Sequence, residues 1–379
     1  MRFAGSNQVK AIAGVTKALT ARVCDFAVYG TLAVFLTGCR VQPQHEAFDT
    51  QPAWSPDSDS IVFVCHHLTI WHFDPFPDPY NGPYADPGGG RLTDICKLDR
   101  ESHKRHRLTS NEVGDWGPEW SPDGRFIAFS SARDGGSGIY VMSIDTPDQV
   151  TRLAEDGQGL AWSPDGDSIA FSSGGSGDIY LLDIDNGSPR QITNSGDYRD
   201  TSVTWSPDGQ QIAFVRQGEM WTTDDQIWIV NSDGESPTQL TEGRFFEWAP
   251  TWSPAGDQIA FGSKRDENPD LYMMEVNGKG LNRLTNDEAW EGDISWSPDG
   301  TLIAFTYREP GKDSQVHVID VESGTRIHLI EGGFKPSWSP DGQSILFLMN
   351  EDLDRDGYAY HKLWIVSKDG RDLERLSQE

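Results

Sequence analysis

Basic residues are in short supply in this sequence: 31 Lys and Arg stand against 59 Asp and Glu, a formal charge of −28 over 379 residues. Such a surface repels phosphate backbones and anionic lipid heads, which excludes nucleic-acid binding unless a local patch overrides the overall field. It suits cationic ligands, basic partners or a salty environment. The short motifs of several enzyme classes are missing too. There is no Gly-x-Ser-x-Gly elbow, no Gly-rich nucleotide loop and no Cys-x-x-Cys pair, so α/β-type serine hydrolysis, nucleotide binding and dithiol chemistry have no visible machinery. No motif demands a cofactor. Cysteine occurs at only four positions: Cys24, Cys39, Cys65 and Cys96.

What the sequence does have is one pentapeptide, used seven times. Trp162-Ser163-Pro164-Asp165-Gly166 returns, intact or nearly so, at Trp54, Trp120, Trp205, Trp252, Trp296 and Trp338. Intervals after the second copy are 42, 43, 47, 44 and 42 residues, whereas the first is 66 and holds an insertion. In the fourth period Ile212-Ala213-Phe214-Val215 follows the Asp208-Gly209 turn, Ile227-Trp228-Ile229-Val230 follows a polar stretch, and Gln239-Leu240-Thr241 closes the unit. Short runs of Ile, Val, Phe and Trp bounded by Gly, Pro, Asp and Ser read as strands and turns. Four strands per period, A to D, form a sheet that cannot bury both faces alone, so the copies must stack. Units of this length stacked radially give a β-propeller. The expected fold is all-β: a seven-bladed β-propeller of four-stranded antiparallel blades.

The repeated residues read as architecture. The Trp wedges between blades, Pro stops strand A, and Asp-Gly makes the turn. Asp123, Asp165, Asp208, Asp299 and Asp341 are therefore not expected to be catalytic. The fifth copy replaces the Asp with Ala255, and the first replaces the Gly with Ser58. Blade seven is complete from the C-terminal segment, so closure should rest on packing between blades one and seven.

Ahead of the repeats, Phe26 to Leu36 is an apolar run too short for a comfortable membrane span and suited to an export signal. It ends in Leu36-Thr37-Gly38-Cys39, which resembles the lipobox of bacterial lipoproteins. That resemblance implies lipidation of Cys39, contact with the membrane only through the lipid anchor, and a location at the periplasm or cell surface. The expected organisation is residues 1–38 as export signal, 39–49 as tether and 50–379 as propeller, with an insertion at 66–94 in blade one. Cys65 and Cys96 sit on adjacent strands at the base of that insertion. Export would permit a disulfide between them, and two free buried thiols are the alternative.

Pro118-Glu119-Trp120-Ser121-Pro122-Asp123-Gly124, followed by Ile127-Ala128-Phe129-Ser130 and Ile139-Tyr140-Val141-Met142 and preceded by Arg107-Leu108-Thr109, resembles the WD40-like PD40 repeats of the TolB-type propeller family. The resemblance runs over essentially residues 50–379 and implies a cell-envelope protein with a protein or peptide partner. The repeats are also similar to the propellers of prolyl-oligopeptidase-type peptidases and oligogalacturonate lyases.

Function should lie where the repeats differ. The B–C and D–A loops share one face and vary from blade to blade, and the aromatics and Arg assigned to them are Trp116, Tyr198, Arg199, Phe245, Phe246, Trp248, Trp290 and Phe334. These are candidate protein contacts, or local packing under their own loops. The insertion from His66 to Gly90 is crowded with aromatics and prolines and reads as a lid, a static flank or a docking loop. His66, His67 and His72 in blade one and His361 in blade seven become neighbours on ring closure and are candidate metal ligands. Asp352, Asp354 and Asp356 resemble the first half of a calcium loop, with Leu363 where the full motif has Glu; the alternative is a solvated acidic loop. Two functions follow: a non-catalytic envelope propeller that binds protein, or a polysaccharide-binding or metal-dependent carbohydrate-active propeller of the lyase kind.

Overall fold

Each period of the sequence folds as one sheet. The computed structural model describes residues 49–68, 91–185, 187–218, 224–353 and 359–376. In them seven four-stranded antiparallel sheets follow one another, each with strands A to D in chain order. Blade one comprises Asp49–Trp54, Ser60–Leu68, Arg91–Asp99 and Arg105–Arg107; blade seven comprises Gly333–Trp338, Ser344–Leu353, Ala359–Ser367 and Leu373–Arg375. The fold is the expected seven-bladed β-propeller, and every described element of regular structure is a strand.

Several boundaries move. Strand A of blade one begins at Asp49, so that residue belongs to the propeller and not to the tether. Strands B and C of this blade pair from Ser60↔Asp99 out to Leu68↔Arg91, which places His66, His67 and Asp94 on strands and leaves residues 69–90 as the insertion. Asp352 lies on the backbone of strand B, Ser344–Leu353, and not in a loop. Cys39, His72, Asp354 and Asp356 lie outside the described residues.

The Ser-Pro-Asp-Gly turn is held by its own side chains. Ser121 Oγ donates to Asp123 Oδ1 at 2.6 Å and accepts the N–H of Phe126 at 2.9 Å, while Asp123 Oδ1 also accepts the N–H of Arg125. These bonds hold the Asp123 carboxyl down at about 2. Gly124 completes the turn at φ +71°, a conformation that an L side chain resists. The fifth copy tolerates Ala255 because Ser253 Oγ turns to Asp257 Oδ1 at 2.9 Å. The Leu-Thr pair at the end of a period is also a side-chain device: Thr241 Oγ1 accepts the N–H of Ile227 at 2.9 Å, past the end of the two-residue strand D, Thr238–Gln239.

Strand B supplies the core. Its Ile and Phe, from Ile61 and Phe63 in blade one to Ile345 and Phe347 in blade seven, are essentially fully buried in all seven blades. The strand-ending Trp bridges blades. Trp162, Trp205, Trp252 and Trp296 each donate their indole N–H to the backbone carbonyl just before the Trp of the preceding blade, at 3.1–3.3 Å. Trp54 does the same across the seam, to Ser337 O of blade seven at 3.1 Å. Ring closure thus repeats the contact between consecutive blades. It is reinforced by Trp54, Ile61 and Phe63 packing with Leu346, Leu348 and Leu363, and by Ser58, whose hydroxyl accepts the N–H of Asp341 at 3.2 Å. Cys65 and Cys96 are joined by a disulfide, with Cα atoms 5.8 Å apart, in the same seam cluster.

Candidate functional site

The innermost strands begin with a feature that composition hides. Three residues before each repeat Trp, at Gln51, Gly117, Gly159, Ser202, Ala249, Asp293 and Lys335, φ lies between +49° and +60°, and the A–B pairing shifts register there in all seven blades. This bulge lets strand A continue toward the face opposite the Ser-Pro-Asp-Gly turns. Trp116, Arg199, Trp248, Trp290 and Phe334, expected on loops, therefore sit on the opening residues of strands.

Five residues before the Trp stands a second feature that the sequence reading missed. Asp49, Asp115, Asp200, Glu247 and Glu291 are buried at this position. Each is paired with an arginine, respectively Arg105, Arg133, Arg216, Arg265 and Arg326. Each guanidinium lies over the strand-B phenylalanine of its blade at 4.9–5.5 Å. Blades three and seven have Gly157 and Gly333 instead, where a Cβ would come within 2.6 and 2.9 Å of Phe171 and Phe347. Burial pushes Glu247 up, and Glu291 up to about 7, against the opposing pull of their hydroxyl and arginine partners. These pairs are scaffold, and the surface rests on them.

Above the Glu247–Arg265 pair, four of the eight expected contact residues come together across blades five and six. Phe245 has Arg265 over its ring at 5.6 Å, and Phe246 meets Trp248 at a centroid distance of 5.3 Å. The Trp248 indole lies over Gly262 of strand B, where a Cβ would come 2.1 Å from it. At Gly292, in blade six, a Cβ would come 2.6 Å from the Trp290 ring and 3.1 Å from Trp248 Nε1. Two glycines thus open the recess that both indoles fill. Lys264 sits over Phe246 at 5.6 Å, and Arg308 over Trp290 at 5.4 Å.

The other candidates do not join this cluster. Trp116 packs between blades one and two, and Phe334 packs in the closure seam; both stand four residues before the repeat Trp, as Trp248 does, but their strand-B partners are Ser130 and Leu348 where Trp248 has Gly262. Tyr198 is exposed, and Arg199 bonds Gly174 O of blade three at 3.4 Å. His66 Nε2 meets Thr50 Oγ1 at 3.1 Å, and His361 packs edge-on against Phe334 at 4.9 Å. Among the described residues no group of three or more His, Cys, Asp or Glu is placed to hold a metal ion.

One lone carboxyl also escaped the sequence reading. Glu119 precedes Trp120, where the other blades have Ala, Ser or Thr, and its desolvated setting pushes it up to about 8. The folded state then keeps a proton that the unfolded chain releases near pH 4.5, so stability falls as pH rises from about 4.5 to 8. Glu119→Gln should gain stability over the parent at pH 8.5 and much less at pH 5.5, read as urea midpoints. An equal effect at both pH values would show that Glu119 titrates normally.

With this geometry in view, comparison with known proteins places the repeats. Residues 220–379 match the PD40 family, the TolB beta propeller domain. Sequence likeness to curated relatives is confined to a short stretch. A stretch of 76 residues is 37% identical to the Tol-Pal system protein TolB of Francisella tularensis, covering 19% of this chain and 16% of that protein. The match thus spans about a sixth of that relative's length. Among solved structures, TolB from Acinetobacter baumannii is similar with a TM-score of 0.51 at 20% identity, over 74% of this chain and 75% of that one. Oligogalacturonate lyase from Vibrio parahaemolyticus is similar with a TM-score of 0.60 at 12% identity, over 74% and 81%. At these identities a β-propeller is shared as a fold, which hosts binding proteins and enzymes alike.

Proposed function

We propose that the chain is an exported, non-catalytic cell-envelope propeller that binds a protein partner on the face opposite its Ser-Pro-Asp-Gly turns. Residues 1–38 would direct export, and Cys39 would carry the lipid that tethers it. The observation behind this reading is the convergence of Phe246, Trp248 and Trp290 with Lys264 and Arg308 on two rigid blades. Aromatic anchors ringed by cations are the composition of binding hot spots, and the TolB relative named above belongs to a Tol-Pal system.

The test is affinity capture from detergent-solubilised envelopes with the parent chain and with Phe246→Ala/Trp290→Ala. Both would first be checked for equal thermal midpoints. One protein retained by the parent, lost by the variant and binding again in purified form with fixed stoichiometry supports the reading. Equal retention by both proteins, or no retained protein, would sink it and move attention to polysaccharide binding and depolymerisation with divalent metal.

A further inference from the structure

Three polar groups at the blade five and six recess have no polar partner among the described residues, and all three are donors. The Trp248 indole N–H is buried and has no hydrogen-bond partner among the described residues. Lys264 and Arg308 are exposed. In a chain with 59 carboxylate side chains, neither forms an ion pair among the described residues, and both lie over aromatic rings instead. Ammonium, guanidinium and indole N–H have no acceptor capacity. A ligand that satisfies them must bring oxygen acceptors, and the two cations favour an anionic one.

Ring geometry selects the class of partner. Stacking of a sugar needs an open aromatic face, but Lys264 and Arg308 cover faces of Phe246 and Trp290, and Phe246 and Trp248 are tilted by 32°. What remains is a recess of ring edges with cations at its rim, which fits an apolar side chain beside a carboxylate. The chain's net charge of −28 does not oppose this at contact, because fields from exposed charges are largely screened beyond about 8 Å at physiological ionic strength.

We propose that this recess binds a protein segment in which an acidic side chain neighbours a Leu or Phe, the carboxylate bridging Lys264 and Arg308 and the apolar group resting on Trp248 and Trp290. The proposal rests on the protein-binding reading and gives its partner a chemistry.

The experiment uses the purified full chain and short fluorescein-labelled peptides in which Glu alternates with Leu and Phe. The matched control replaces every Glu with Gln. Fluorescence anisotropy is measured for the parent, for Lys264→Gln/Arg308→Gln, which changes exposed groups only, and for Gly292→Ala, which displaces both indoles. The expected result is that the Glu peptide binds the parent about tenfold or more tightly than the Gln peptide. The double variant should abolish that preference, and Gly292→Ala should weaken both peptides while the thermal midpoint stays near that of the parent. Equal binding of both peptides, lost in Gly292→Ala, would overturn the carboxylate proposal and leave protein binding standing. Glu-peptide binding unchanged in the double variant, or binding of neither peptide, would overturn the proposal as well. Patch-dependent binding of an oligogalacturonate in place of the peptides would overturn both readings.

Discussion

Arg216→Ala is expected to cost about 3–5 kcal/mol, the range for removing one partner of a buried ion pair. Asp200 is fully buried, and Arg216 is its cation, through two bonds of 2.7 and 2.8 Å. The guanidinium also lies 4.5 Å from the Trp228 ring, so truncation removes packing along with charge. The larger part of the loss is the stranded carboxylate, because an isolated buried charge is far costlier than a missing contact. Replacing both partners with apolar residues, Asp200→Leu/Arg216→Met, should therefore recover most of the stability. Urea unfolding at pH 7 separates the cases. If the double replacement were as unstable as Arg216→Ala, packing of the arginine would be the main contribution. A single-variant loss below about 1 kcal/mol would place the pair with ordinary surface bridges.

The second large effect is expected at the closure seam. Trp54→Ala removes a buried indole, its bond to Ser337 O, and the surface on which Arg100 lies at 5.5 Å. Large-to-small changes of this kind cost about 3–5 kcal/mol. Trp205→Ala removes the equivalent bond, to Ala161 O, but within a continuous stretch of chain. The difference should appear in hydrogen exchange. Trp54→Ala should raise exchange together in strand A of blade one, Asp49–Trp54, and strand B of blade seven, Ser344–Leu353, whereas Trp205→Ala should raise it only around blades three and four. Identical patterns would mean that the seam is no weaker than any other blade junction.

The sequence carries the propeller openly because its determinants are short-range and repeated in every blade. Trp ends strand A, Ser and Asp close a turn within a few residues, and Ile-x-Phe fills strand B. The carboxylate–arginine pairs were harder to read for two reasons. Their arginines come from different places, Arg216 and Arg265 on strand B, Arg133 just after it, and Arg105 and Arg326 from strand D, and two blades substitute glycine. Aligning the copies on the Trp would have exposed the acidic partner, since the fifth residue before it reads Asp, Asp, Gly, Asp, Glu, Glu, Gly.

The site was legible only in part. Phe245, Phe246, Trp248 and Trp290 stood out as large residues at non-repeating positions, and they do converge. Trp116 and Phe334 stood out equally and hold the same place in strand A as Trp248, but they pair with Ser130 and Leu348 where Trp248 pairs with Gly262, and they pack between blades. What makes the recess is the pair Gly262 and Gly292, and a glycine in a strand gives no hint of the ring that lies on it.

The Cys65–Cys96 bridge has a further consequence. It joins the two chain segments on either side of residues 69–90. A protease cut anywhere in that interval would yield fragments that separate on a reducing gel but not on a non-reducing one. Strands B and C on either side remain in their ladder, so the nicked chain should keep its blade. Residues 69–90 are accordingly the place to graft a reporter or an epitope, or to let sequence drift, without asking the propeller to refold around the change.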